Sequence, residues 1–131
     1  MAGSARERAV LGYLSANCGG CHRSPGPLAA LGLDLRQPAY RIGPDPVCHA
    51  IEQPTKWDRA GAAPGTTVAL TAGEPDLSAL VIRMASRRPT SQMPPLGTVI
   101  ADRAALDLAR GWIAEELAPA TARPQRYDGS R

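Results

Sequence analysis

Cys18-Gly19-Gly20-Cys21-His22 is the stretch whose residue types and spacing could do chemistry: two thiols three residues apart, with a histidine directly behind the second. That pattern reads as a covalent attachment site for haem c. Each thiol can add to one vinyl group of the porphyrin, leaving two thioether bonds, and the histidine can then ligate the iron from the proximal side. Gly19 and Gly20 suit this chemistry, because a backbone without Cβ can lie close against a macrocycle. Two other chemistries use paired cysteines. A redox Cys-x-x-Cys pair belongs beside a strand–helix–strand run, and none surrounds this one. A four-ligand zinc site needs a second pair of ligands, for which Cys48-His49 is the candidate. One complete attachment motif and no second predicts a single covalent haem c on Cys18, Cys21 and His22.

A second metal ligand is expected in Ser91-Gln92-Met93-Pro94-Pro95-Leu96-Gly97. A thioether is a soft, neutral ligand for haem iron, and the prolines after Met93 stiffen the backbone that would hold its sulfur. A lone methionine also serves as core filler. Met84, on the apolar stripe of its own helix, is read that way. His49 is a further rival for the distal position. Cys48 has no cysteine three residues before it and reads as a small buried apolar residue. Arg36, Tyr40, Arg41 and Trp57 are candidate donors to the haem propionates. The ring N–H of His22 that faces away from the metal should find a backbone carbonyl in Pro25–Pro27.

These groups need elements to position them. Ser4-Ala5-Arg6-Glu7 has the form of a capping box and predicts a helix from Ala5. Val10, Leu11, Leu14 and Cys18 recur along it at helical spacing, so it delivers Cys18 at its end, where Gly19-Gly20 stop it. Arg23–Pro27 reads as loop. Leu31, Leu33 and Leu35 alternate, as a short extended piece or as apolar packing along a haem edge. Five prolines over 36–72 forbid a long helix there, leaving one or two turns at Val47–Gln53. Pro75 opens a second helix carrying Leu77, Leu80, Val81 and Met84, and Arg87-Arg88-Pro89 ends it. A last helix spans Asp102 to Leu117, capped by Asp102. Its Ala105, Ala109, Trp112, Ile113 and Glu116 lie on or beside one face, and Trp112 is expected to fill its crossing with the first helix.

The chain has 131 residues, a formal charge of +3 and no Phe. With only three Tyr and two Trp it is short of large flat apolar surface, which a haem would supply as part of the core. The sequence predicts one domain over 5–118, with an insert at about 36–72 and a poorly ordered polar tail at 119–131. The basic residues are scattered arginines with one lysine, Lys56, which argues against a nucleic-acid surface. A weakly basic face for an acidic protein partner suits them better. Arg83, Arg87 and Arg88, on the approach to Met93, would steer such a partner. No apolar run approaches a membrane span. No secretory signal opens the chain, although haem c is attached outside the cytoplasm. The expectation is a periplasmic or exported location for a mature chain, or for one module of a larger exported protein.

Taken together, the helix leading into Cys18-x-x-Cys21-His22, the proline-flanked Met93 and the C-terminal Gly111-Trp112-Ile113 resemble the class I cytochrome c family. The likeness covers roughly residues 5–117, with 36–72 poorly matched. Gly73–Asp76 and Met93–Gly97 are similar to haem modules attached to exported bacterial quinoprotein dehydrogenases. The resemblance implies an all-α cytochrome c fold with crossing terminal helices and haem in the core. It implies one haem c on Cys18 and Cys21, with His22 proximal and Met93 distal. It further implies an electron-transfer domain rather than an enzyme in its own right, taking single electrons from a dehydrogenase and passing them to an oxidase or another cytochrome. The alternative is a haem-based ligand sensor or peroxidase-like enzyme in which Met93 is displaced. In two respects the chain departs from the family: Val10 and Leu14 stand where the first helix often carries Gly and an aromatic, and Cys48 is unpaired.

Overall fold

A computed structural model describes residues 4–37 and 46–117, apart from the side chains of Pro46 and Cys48. Tyr40, Arg41, the Cys48 side chain and the tail beyond 117 lie outside the described residues, and with them what the sequence suggests for each. Three α-helices and four short helical turns make up the regular structure, with no strand among the described residues. The protein is all-α.

Helix α1 runs Ala5–Asn17. It starts where the capping pattern predicts, because the Ser4 hydroxyl accepts the Glu7 N–H at 3.0 Å and satisfies a donor that the first turn leaves open. At its other end Cys18 donates its backbone N–H to Leu14 O at 2.8 Å. The chain then turns so tightly that a Cβ on Gly19 would lie 2.5 Å from Ser15 O. The end of α1 itself therefore requires glycine at 19, whatever lies in the cavity. At Gly20 an added Cβ would meet no protein atom within 4 Å.

Helix α3 runs Arg103–Gly111, capped as expected by the Asp102 carboxylate accepting the Ala105 N–H at 2.9 Å. The predicted single helix to Leu117 changes pitch at Trp112. Residues Trp112–Glu116 form one wider π turn, closed by the Leu117 N–H on Trp112 O at 3.0 Å. Within that turn Gly73 N–H binds Ile113 O at 3.1 Å. The wider turn leaves Trp112, Ile113 and Leu117 all buried, with Trp112 only 1% exposed. Helices α1 and α3 pack against each other. Their Val10, Leu11, Leu14, Trp112, Ile113 and Leu117 form one apolar cluster. Arg6 reaches across this crossing to Gly111 O at 3.3 Å and pairs with Glu115 and Glu116.

Pro75 does not open the second helix. It begins a 3-10 turn, Pro75–Leu77, and α2 covers only Ala79–Ala85. Between them Ser78 is extended and fully buried. Its hydroxyl accepts Thr71 N–H at 2.9 Å and donates to Glu74 O at 3.0 Å. These local bonds compete with helix continuation, as serine side chains do. The first N–H groups of α2, which a helix cannot satisfy internally, go instead to Val68 O (Ala79, 3.0 Å) and Ala69 O (Leu80, 3.1 Å).

The stretch 46–72 is ordered without being regular. A 3-10 turn, Pro46–Ala50, leads into single bridges between Ile51 and Leu70 and between Pro54 and Val68. Its Val47, Ala50, Ala69 and Leu70 belong to the same apolar cluster as the helices. It is a wall of the core. No helix among the described residues is long and apolar enough to cross a membrane.

Candidate functional site

An apolar cavity opens inside this frame, with about 1010 Å³ of space between atoms, part of it open to solvent. Four segments far apart in sequence wall it. The end of α1 brings Tyr13, Leu14 and Cys18, and the following loop His22, Leu33 and Leu35. The 46–72 stretch brings Ala50, Trp57 and Leu70, while α2 and the loop after it bring Arg83, Met84 and Met93. Of the expected site residues, Cys18, His22 and Met93 thus meet at one cavity. Cys21 is exposed one turn from its partner and is not part of the lining. His49 is exposed and is not part of the lining.

His22 is held by the chain around it. It is 6% exposed, and its carbonyl accepts Leu35 N–H at 2.9 Å, closing the loop between them. An ion pair ties the same loop: Arg36 Nη2 lies 2.6 Å from Asp34 Oδ2 and donates to Ser24 O at 2.6 Å, while Ser24 N–H donates to Asp34 at 3.1 Å. The hydrogen bonds from Arg36, ahead of its charge, hold the Asp34 carboxyl far below the ordinary carboxylate range. Arg36 is thus engaged with Asp34 and Ser24 and does not line the cavity. Trp57 does lie on the wall, with the Arg83 guanidinium 5.2 Å above its ring.

Burial, with a smaller push from the Arg83 charge, lowers the His22 pKa, so the imidazole is neutral at pH 7 and has a lone pair to offer. Its Nδ1 is buried and unpartnered, so the carbonyl expected in Pro25–Pro27 does not take it. A buried unpaired polar atom costs about 1–3 kcal/mol. Burial, then Cys21, raises the Cys18 thiol, which stays protonated at neutral pH. That is the opposite of the lowered thiol a redox Cys-x-x-Cys pair uses. No three of His, Cys, Asp and Glu come together as a metal-binding group among the described residues. The metal-binding donors on the cavity wall are the His22 imidazole, the sulfurs of Cys18, Met84 and Met93, and the Tyr13 phenol. The buried neutral imidazole, the methionine sulfurs and the thiol at the rim fit a haem c.

Met93 is half-buried and doubly tied to α2: its N–H donates to Arg83 O at 3.0 Å, and Arg83 Nε donates to Ser91 O at 3.1 Å. Gln92, buried, spans the prolines by donating to Pro95 O at 3.0 Å. Met84 also lines the cavity, so reading it as core filler captures only part of its setting. Arg87 folds back onto the carbonyls of Met84 and Ser86 at the C-terminus of α2, where a cation complements the helix dipole. Of the three arginines proposed for steering, Arg88 is the exposed one. The sequence reading missed the bracing roles of Asp34 and Gln92, although their partners Arg36 and Pro95 lie close along the chain. It named Arg83 for steering and not for its bond to Ser91. Compared with known proteins, the chain matches no family model, no curated protein and no solved structure.

Proposed function

We propose that the chain holds one covalent haem c in this cavity and carries single electrons, in the manner of the class I cytochromes c that its motif resembles. The observation that supports this reading is the convergence on one apolar cavity of Cys18, His22 and Met93, with 70 residues of chain between the histidine and the methionine. Cys18 and Cys21 would hold the group through thioethers, His22 through its neutral imidazole and Met93 through its sulfur. When bound, the haem supplies a one-electron couple at its iron. The chain's part would be to hold the iron on His22 and Met93, leaving no open site for a substrate, and to line the cavity with leucine, valine and alanine. Arg83, half-buried on Trp57, sets a positive charge beside the site. The donor would be a dehydrogenase and the acceptor an oxidase or another cytochrome.

The test is intact mass of protein matured in a bacterial periplasm. The mass should exceed that of the polypeptide by one haem, and the haem should stay with the protein through acid–acetone extraction. Extractable haem, or two haems, overturns the reading. Titration with cyanide or carbon monoxide separates the carrier, which binds them slowly or weakly, from a sensor or peroxidase that gives up Met93.

A further inference from the structure

Large apolar side chains in a small protein are normally covered, yet Leu96, Val99 and Ile100 are 83%, 87% and 82% exposed. They fall within five residues, in the segment that follows Met93 and whose Pro94 and Thr98 line the cavity. This apolar strip therefore sits at the cavity edge. Exposed apolar clusters rimmed by polar groups mark sites of protein–protein contact.

Charge says what kind of partner covers it. From 77 to 101 the sequence has three arginines and no acidic residue, and Asp102 beyond it is engaged as the cap of α3. Arg83 and Arg87 are drawn inward, but Arg88 is exposed. Its carbonyl accepts the N–H groups of Ser91 and Gln92 at 2.9 and 2.8 Å, and the Gln92 side chain grips Pro95, next to Leu96. The exposed cation and the apolar strip are thus parts of one braced loop. We infer that Leu96, Val99 and Ile100, with Arg88 at the rim, form the docking face for an electron-transfer protein whose contact surface is apolar and edged by carboxylates. This rests on the carrier function proposed above. Apolar contact sets how long the pair stays together, and the rim charge sets how fast it meets.

The probe is an acidic cupredoxin with an apolar contact face. One electron leaves the reduced chain and converts Cu(II) to Cu(I), with no proton or bond transferred. In stopped flow, the Leu96→Ser/Val99→Ser/Ile100→Ser variant should react about tenfold more slowly, the effect of losing interface anchors. Its rate of reduction by ascorbate and its melting temperature should be unchanged. Arg88→Glu should slow the reaction at low salt and converge with wild type as salt rises. A redox-inert zinc form of the cupredoxin, titrated into labelled holoprotein, should shift amide signals over 96–100 and at Arg88. A footprint on the Arg6–Glu115 side, an unchanged rate in the triple variant, or a serine-sensitive dimer of the chain alone would each overturn the assignment. Failure of the carrier reading is distinguishable, since it shows in the intact mass before any partner is added.

Discussion

Met93 and Met84 both reach the cavity wall, so which sulfur would serve the proposed haem iron turns on what holds each one. Met84 is a helix residue among the buried side chains of α2, whereas Met93 sits on a loop bonded at its own N–H to Arg83 and braced by Gln92. A ligand needs a fixed backbone and a free side chain, which is the situation of Met93. Met93→His should lower the reduction potential, since methionine ligation raises it. The same change should abolish the weak near-infrared sulfur-to-iron band. Met84→Leu should leave both intact; if Met84→Leu removes the band instead, the ligand is Met84. At this scale the sequence singled out Cys18, His22 and Met93, which the fold brings to one cavity. The grip of Arg83 on Ser91, eight residues away, has no local signature, and neither does the stacking of Arg83 on Trp57.

Helix ends with side-chain caps could be read directly, as Ser4 and Asp102 show, because the signal and its partner lie three residues apart. The second helix was misread because proline at a first turn serves a 3-10 turn as well as an α-helix, and the break at Ser78 depends on a bond to distant Thr71. Residues 46–72 gave no periodicity because two isolated bridges and a few backbone bonds order them. The packing of α1 against α3 was legible, and Trp112 belongs to the cluster they share. Trp112→Ala should destabilise the fold by about 3–5 kcal/mol, the usual result of emptying a large aromatic site. A loss within about 0.5 kcal/mol, as at a surface, would contradict that packing. The Asp34–Arg36 pair makes a pH prediction for the loop that carries His22. Because the folded carboxyl is held below the unfolded value of about 3.9, its contribution is complete above that pH. It is lost as pH falls from about 4 toward the folded value. Chemical denaturation should therefore find Asp34→Asn less stable than wild type at pH 7. The gap should narrow at pH 3; a gap that is constant with pH would mean the carboxylate charge plays no part.

For the molecule as a whole, the core and the cavity are one structure. Leu14, Leu35, Val47, Ala50, Ala69 and Leu70 belong to the apolar cluster and also line the cavity. A group lodged there packs against the same side chains that join α1 to α3 and to the 46–72 wall. With few aromatic residues in the chain, that group would provide much of the large apolar surface in the interior. Blocking attachment with Cys18→Ser and Cys21→Ser should therefore act far beyond the site, although Cys18 lies at its rim and Cys21 outside the lining. Anything that binds only the folded state stabilises it by mass action. A tethered group gains further, because it is always present. The double variant, matured alongside wild type, should melt well below it. Amide exchange should speed up most at Ala50–Leu70, whose order comes from isolated bridges rather than helix, and least at the α1–α3 crossing. Equal melting temperatures would show that attachment contributes nothing to the core. Uniformly faster exchange would show that the cavity wall and the helix crossing unfold as a single unit, with no weaker layer around the cavity.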